Sequence, residues 1–308
     1  MRVAVLIGGR SLERQVSLKS GARVAEALEA AGHDVVAIDI GHDLVARLRD
    51  CGPDVAFVAL HGRDGEDGTV QELLDALGIA YTGSGAAACA LSWDKALAKH
   101  AMTSAGIPTP PARVFSETAV KELGAAEAIG AVAQGIGFPV VVKPVAQGSA
   151  LGIRIVPDAA AVPGALIAAF SYGDRVLLER HIAGRELAVS VLGGEALPVV
   201  EAIPQSDEFY DFEARYTIGA TTLRCPAEIP EAVATEAQRL AVAVFELLQL
   251  EGCARIDLLL DAAGELWVLE ANAVPGMTAT SLLPQAAEAA GISFEQLCER
   301  MLELAHSR

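Results

Sequence analysis

Arg255-Ile256-Asp257-Leu258-Leu259-Leu260, then Asp261-Ala262-Ala263-Gly264, then Glu265-Leu266-Trp267-Val268-Leu269-Glu270-Ala271-Asn272, is the stretch that decides the fold. Two apolar-rich runs flank a short polar segment ending in glycine, the pattern of two antiparallel strands joined by a tight turn. Side chains alternate across a strand. Pairing Leu260 with Glu265 sets Asp257 opposite Val268 and Arg255 opposite Glu270, so Arg255, Asp257, Glu270 and Asn272 share one face. Ile256, Leu258, Leu260, Trp267 and Leu269 form the other, apolar face and belong to a core. Three oxygen ligands without histidine or cysteine suit a hard cation such as Mg²⁺. Apolar Leu259, Leu266 and Val268 flank the acids, and a partly buried carboxylate cluster is costly unless a cation neutralises it. A solvated hairpin with scattered acids is the plain alternative.

The chain has 308 residues, enough for a substantial core and two or three domains. It is 52% hydrophobic and holds 29 glycines, a composition that suits a compact α/β enzyme. The net charge of −17 argues against nucleic acid or an anionic membrane as main partner. It does not exclude ATP, which needs only local positive groups. The 5 cysteines (Cys51, Cys89, Cys225, Cys253, Cys298) are odd in number and widely spaced, with no CxxC, so reduced thiols are expected rather than disulfides or a zinc site. Val3–Ile7 is apolar, but Gly8-Gly9-Arg10 ends it too soon for a signal peptide, and no run approaches membrane-spanning length. A cytoplasmic protein is expected.

Outward from the hairpin, strands are expected at 3–7, 35–40 and 54–60, with helices at 17–31 and 69–77. Strands alternating with helices imply a parallel sheet, whose ligands bind beyond the strand C-termini. Gly8-Gly9-Arg10-Ser11 and His61-Gly62-Arg63-Asp64-Gly65-Glu66-Asp67-Gly68 both lie there. A helix is expected at 86–105, ended by Gly106 and Pro108, and Pro108-Thr109-Pro110-Pro111 reads as an interdomain link. Strands at 139–144 and 152–156 around a loop at 145–151 form a hairpin, which marks a second domain. A strand at 175–179, further strands from Glu186, a helix at 231–248 and a last helix near 293–304 follow.

Lys143-Pro144-Val145-Ala146-Gln147-Gly148-Ser149-Ala150-Leu151-Gly152 can turn backbone N–H groups towards an anion, with an ammonium beside them. It lacks the Gly-Lys-Ser/Thr of a Walker loop, and a plain glycine hairpin explains it equally well in isolation. With a Mg²⁺ hairpin later in the chain, a nucleoside triphosphate is the better reading. Lys95 is a second candidate for phosphate. Glu179 and Glu186 are acceptors placed to take an adenine amino group and ribose hydroxyls, or are two surface acids. His61 is a candidate substrate contact or a structural histidine. Glu13, in the first strand–helix loop, can hold a substrate ammonium or favour the helix start. A dinucleotide fold is disfavoured: counting from Gly8, the GxGxxG glycines would fall at Arg10 and Glu13.

Taken in order, these motifs resemble the D-alanine–D-alanine ligase family of ATP-grasp enzymes over nearly the full length. The resemblance rests on Gly8 to Gly21, His61 to Gly68, Tyr81-Thr82-Gly83-Ser84-Gly85, Lys143-Pro144, Phe209 to Tyr216, Arg255-Ile256-Asp257, and Glu270 to Pro284. It implies an α/β ATP-grasp fold of three α/β domains with an N-terminal parallel, Rossmann-like sheet. The expected units are a substrate-binding domain at 1–94, a central ATP-grasp domain at 95–182, and a C-terminal domain at 183–308 carrying the Mg²⁺ and oxyanion site. Asp257, Glu270 and Asn272 would hold two Mg²⁺ ions, with Mn²⁺ as a substitute. Lys95, Lys143, Gly148 and Phe209 would serve ATP binding, and Glu179, Ile182 and Glu186 its adenine and ribose. Glu13 would receive the ammonium of the first D-alanine, with Ser149 and Tyr216 linked to it by hydrogen bonds that close a loop over the site. His61 and Arg215 would contact substrate, Arg255 and the Gly276 N–H would form the oxyanion hole, and Ser281 and Leu282 the pocket for the second substrate's carboxylate. The family also implies a homodimer.

The implied reaction passes the γ-phosphoryl group of ATP to one D-alanine, and the acyl phosphate is then attacked by the amine of a second. Where the family usually carries lysine, this chain has Arg215, which changes reach and geometry. Ala150 stands for a second hydroxyl residue, Ala273 for a threonine, and His181 for an aromatic stacking residue. A related ligase taking D-lactate, D-serine or a specialised amino acid, and a nucleotide-binding module without catalysis, are the alternatives.

Overall fold

The computed structural model describes residues 1–204 and 221–306. They form three sheets. The first has the order β2-β1-β3-β4, with β1 at Arg2–Ile7, β2 at Asp34–Asp39, β3 at Val55–Val58 and β4 at Ala80–Tyr81, all parallel. Val3, Ala4, Val5 and Leu6 are all fully buried, as a strand covered on both faces requires. Helices at Arg14–Ala30, Leu44–Cys51 and Thr69–Leu77 make the crossovers. The helix at 44–51 and the short β4 were not expected from the sequence.

The single helix expected at 86–105 is two, Ala86–Trp93 and Lys95–Ser104. Asp94 breaks it. Its backbone is extended, and its Oδ1 accepts from the N–H groups of Ala96 and Leu97 at 3.0 and 2.9 Å. Such a cap is worth about 1 kcal/mol. Oδ2 accepts from Arg175 at 2.5 Å, which fixes the corner to the next sheet. The break restarts the helix at Lys95 and brings that side chain, 7% exposed, into the interior.

The second sheet, β5-β8-β6-β7, is antiparallel: β5 at Ala112–Ser116, β6 at Val140–Pro144, β7 at Arg154–Val156 and β8 at Arg175–Arg180. Alternation sorts its faces. Val140, Val142, Val176 and Leu178 pack with Ile129, Ala133, Ala165 and Leu166 from helices Ala125–Ile136 and Val162–Phe170. Val141, Lys143 and Glu179 face the opposite way and line a cleft.

The third sheet runs β12-β11-β9-β13-β14 with β10 beside β9. The strands are β9 at Gly184–Leu192, β10 at Glu195–Ala196, β11 at Val200–Pro204, β12 at Thr221–Arg224, β13 at Cys253–Asp261 and β14 at Leu266–Asn272. Helix Glu231–Leu247 covers one face, where Leu240 and Val244 join Ala254, Ile256, Leu258, Leu260, Leu266 and Val268.

The β13–β14 hairpin corrects the expected register. Asp261, not Leu260, closes the turn: its N–H donates to the Glu265 carbonyl at 3.0 Å, and its Oδ1 accepts from the N–H groups of Ala263 and Glu265 at 2.9 Å each. Leu260 therefore pairs with Leu266 and Leu258 with Val268, which turns Leu266 and Val268 into the core and Trp267 and Leu269 away from it. A bulge between Asp257 and Leu258 then leaves Leu269 without an opposite residue, so Asp257 pairs with Glu270 and Arg255 with Asn272. The two offsets add to an even number, and Arg255, Asp257, Glu270 and Asn272 still share one face.

The last helix, Phe294–His306, packs against helix 14–30: Leu297, Cys298 and Leu302 share a core with Val24, Leu28 and Phe57. The first and third sheets thus share apolar cores, and the second has its own. All five cysteines are free thiols.

Candidate active site

The loops after β1 and β3 meet the β6–β7 loop and the end of β14. Glu13 lies just before helix 14–30 and is buried. Ser149 hydrogen-bonds its Oε1. Gly148 presses against the same carboxylate: a Cβ there would fall 2.7 Å from Glu13 Oε2. Glycine at this position is a packing requirement of Glu13. Ser11 Oγ donates to the His61 carbonyl at 2.6 Å and pins the two loops together.

His61 is buried, its Nε2 2.9 Å from Ser20 Oγ, which accepts from the Met277 N–H at 3.2 Å. Burial pushes the imidazole down to about 4, aided by Arg255 and opposed by a hydrogen bond to the Val274 backbone, so it is neutral at pH 7. Glu66 sits behind it, with Oε1 3.8 Å from His61 Nδ1 and 3.0 Å from the donating Gly62 N–H. Burial first, and the charge of Glu13 second, push Glu66 up to about 8, so it holds a proton at pH 7. No role for Glu66 was read from the sequence, though it stands in the His61–Gly68 motif.

On the third sheet, Arg255 donates to Asp257 from both Nε and an Nη, at 2.6 and 2.8 Å. Lys95 lies 3.3 Å from Glu270 and donates to the Gln147 carbonyl at 2.6 Å, so it ties β14 to the β6–β7 loop. Asn272 Oδ1 accepts from the Val274 N–H at 2.9 Å and shapes the chain leaving the strand. Ser281 Oγ accepts from the Thr278 N–H at 3.0 Å, and a Cβ on Gly276 would lie 2.7 Å from that oxygen. Leu282 begins the helix that follows.

These groups line two adjoining chambers. Glu13, His61, Lys95, Gly148, Ser149, Arg255, Glu270, Asn272, Gly276, Ser281 and Leu282 surround one, with Glu66, Ser92, Trp93 and Gln147 among its walls. The other, a cleft of about 530 Å³ between the second and third sheets, is lined by Lys143, Glu179, Ile182, Glu186, Asp257 and Glu270, with apolar Val141, Ile153, Ile155, Leu259 and Leu269. Glu270 faces both. A cleft of this size, with apolar walls and a few charged groups, suits a base and its phosphates. His181 lies in its wall. Phe209, Arg215 and Tyr216 lie outside the described residues.

Glu179 is ion-paired on both oxygens, to Lys143 at 2.8 Å and to Lys99 at 2.5 Å. Burial opposes its charge, but Lys143 and Lys99 outweigh burial and hold the carboxyl below its ordinary range. Lys99 was missed in the sequence. Its spacing of four from Lys95 on a helix was the available signal.

The oxygen donors fit a divalent cation. Asp257 and Glu270 are directly opposed, and Asn272 follows two residues on. Arg255 and Lys95 now supply the countercharge that a metal would replace. Among the described residues no group of three or more His, Cys, Asp or Glu gathers, so a cation here would draw further ligands from water or phosphate.

Three sheets with a nucleotide-sized cleft between the second and third define the ATP-grasp class of ligases. The D-ala D-ala ligase N-terminus family model matches residues 45–84, and the D-ala D-ala ligase C-terminus model matches residues 101–303. The chain belongs to the D-alanine–D-alanine ligase family. It is 45% identical over 302 residues to the D-alanine–D-alanine ligase of Anaeromyxobacter sp. (strain Fw109-5), covering 98% of this chain and 96% of that one. It is 44% identical to that of Geobacter sulfurreducens, covering 98% and 93%. The Bacillus anthracis D-alanine–D-alanine ligase, solved in complex with ATP, superposes with a TM-score of 0.85 at 31% identity, covering 100% of this chain and 98% of that one.

Proposed function

We propose that the protein joins two D-alanine molecules into D-alanyl-D-alanine, a peptidoglycan precursor, with hydrolysis of ATP to ADP and phosphate. The observation that carries this reading is the meeting of Asp257, Glu270 and Lys95 with Glu13 and Ser149 around adjoining chambers. One chamber has the lining for a nucleotide, and the other holds a carboxylate aimed where an ammonium would sit.

Glu13 binds the ammonium of the first D-alanine, and Ser149 fixes the carboxylate that does so. An oxygen of the substrate carboxylate attacks the γ-phosphorus, ADP leaves, and an acyl phosphate forms. Lys95 and Lys143 offset the phosphate charge, and positioning does most of the rest. Glu179, Ile182 and Glu186 hold the base and ribose. Asp257, Glu270 and Asn272 would hold two Mg²⁺ ions, which neutralise phosphate oxygens and polarise the transferring group. The second amine, with Ser281 and Leu282 at its carboxylate end, attacks the acyl carbon; Arg255 and the Gly276 N–H stabilise the oxyanion, and phosphate departs. Neutral His61, with Ser20 behind it, orients substrate without adding charge. Arg215, Tyr216 and Phe209 belong to the segment that would cover the site and exclude water.

The three units read as 1–94, 95–182 and 183–308, and the protein would act as a cytoplasmic homodimer. The net charge of −17 speaks against nucleic acid. Among the described residues no helix is long and apolar enough to cross a membrane. An isotope experiment tests the acyl phosphate: D-alanine labelled with ¹⁸O in its carboxylate should deliver one ¹⁸O to each released phosphate. Unlabelled phosphate would exclude that intermediate.

A further inference from the structure

Lys99 lies one helical turn beyond Lys95 on helix 95–104, and it pairs with Glu179 without itself lining the cleft that Lys143 and Glu179 line. Lys99, Lys143 and Glu179 are 5%, 4% and 2% exposed, so this is a buried carboxylate bridged by two ammonium groups. The two lysines are held differently. Lys143 sits on β6 at the cleft, where an incoming phosphate can draw it away. Lys99 donates to Thr109 Oγ1 at 2.5 Å and to the Pro110 carbonyl at 3.2 Å, besides its ion pair with Glu179. Two of its three protons are therefore engaged by the proline-bearing link before β5, which holds the ammonium against Glu179 whether or not Lys143 is there.

A buried carboxylate without a counterion either takes up a proton or destabilises its surroundings. When Lys143 turns to phosphate, Lys99 remains as the cation that keeps Glu179 charged and fixed. The identity of the base depends on that. An ionised carboxylate accepts from the exocyclic amino group of a 6-aminopurine and repels the carbonyl oxygen of a 6-oxopurine. A protonated or reoriented carboxyl does neither well. A site built around such a hydrogen bond rejects the analogue that lacks the donor.

We propose that Lys99 is a positioning residue for base recognition: it holds Glu179 as an oriented anion and so sets the preference for 6-amino over 6-oxo purine triphosphates. This rests on the reading of Glu179 as the adenine acceptor. Burial lowers Lys99 to about 8, with Glu179 opposing that shift, which leaves the lysine charged at pH 7 through its partnership with the acid.

The test compares kcat/KM for ATP and for inosine triphosphate at saturating D-alanine in wild type, Lys99→Met and Glu179→Gln. Lys99→Met should raise KM for ATP about tenfold, leave kcat within about threefold, and cut the ATP-to-ITP ratio about tenfold, the scale of one charged hydrogen bond. Glu179→Gln, whose amide can donate to a carbonyl, should cut the ratio as well. A ratio that falls in Glu179→Gln but stays at the wild-type value in folded Lys99→Met overturns the role of Lys99 alone. A ratio unchanged in both overturns the adenine reading and this inference with it. Should Lys99→Met not fold, Thr109→Val, which removes one anchor of the lysine while keeping its shape, carries the test. A several-fold fall in the ratio supports the proposal, and an unchanged ratio overturns it.

Discussion

Ser149 hydrogen-bonds Glu13 across 136 residues of sequence. The contact joins the β6–β7 loop of the central sheet to the first strand–helix loop, so the carboxylate that would take the substrate ammonium is oriented by a different part of the chain from the one that carries it. Ser149→Ala should lower kcat/KM for D-alanine by about 10- to 100-fold, the range of a charge-assisted hydrogen bond of about 1.5–3 kcal/mol. KM for ATP should stay near the wild-type value. Steady-state kinetics with D-alanine and ATP varied separately read both quantities.

Arg255 should show the reverse pattern. Its place beside the Gly276 backbone in the smaller chamber suits an oxyanion donor. Arg255→Met should cost about 10²–10³ in kcat with a much smaller effect on nucleotide binding. Because Arg255 also pairs with Asp257, the variant should bind Mg²⁺·ATP no more weakly than wild type in calorimetric titration. A loss confined to KM would remove Arg255 from the chemical step.

Glu66 carries a pH signature. Its folded-state value of about 8 lies above the ordinary 4.5. Between those values the folded protein holds a proton that the unfolded chain has released, so stability falls as pH rises through the window. Glu66→Gln has no such proton to lose. The melting temperature of Glu66→Gln minus that of wild type should therefore grow from pH 5 to about pH 8 and level off above it. The unfolded-state titration of His61 is common to both proteins, and its folded value of about 4 lies below this window. A difference independent of pH would show that Glu66 ionises normally.

Asp94 should matter to stability and to Lys95 together. Asp94→Ala removes the cap at Ala96 and Leu97 and the pair with Arg175. A loss of about 1–2 kcal/mol in denaturant unfolding is expected from the cap. KM for ATP should also rise several-fold, because Lys95 begins the capped helix.

Much of this architecture was legible in the sequence, for identifiable reasons. Val3–Ile7 and the strands after it are short apolar runs bounded by glycine or charge, and their alternation with helical patterns specifies a parallel sheet. The shared face of Arg255, Asp257, Glu270 and Asn272 came out as expected only because the one-residue register offset at the turn and the one-residue bulge cancel in parity. The register was not legible, since neither the Asp261 turn bonds nor the bulge at Asp257/Leu258 leaves a mark in composition. The split at Asp94 was hidden inside a helix-forming run, although aspartate before Lys95 is a good N-cap. Partnerships formed in three dimensions were out of reach. Glu66 reads as one acid in a glycine loop, and its proton follows from burial beside Glu13. Lys99 reads as a solvated helical lysine, and its role follows from Glu179, which lies on β8 in a different sheet layer.

The most direct test is phosphate release with product identification across a panel of D-amino and D-hydroxy acids, run on wild type beside Asp257→Ala. The account predicts ATP-dependent release with D-alanine, one D-alanyl-D-alanine formed per phosphate, and a loss of at least about 10³-fold in Asp257→Ala with its circular dichroism unchanged. Full turnover by Asp257→Ala, or a wild-type enzyme that hydrolyses ATP with D-alanine present yet forms no dipeptide, would contradict it.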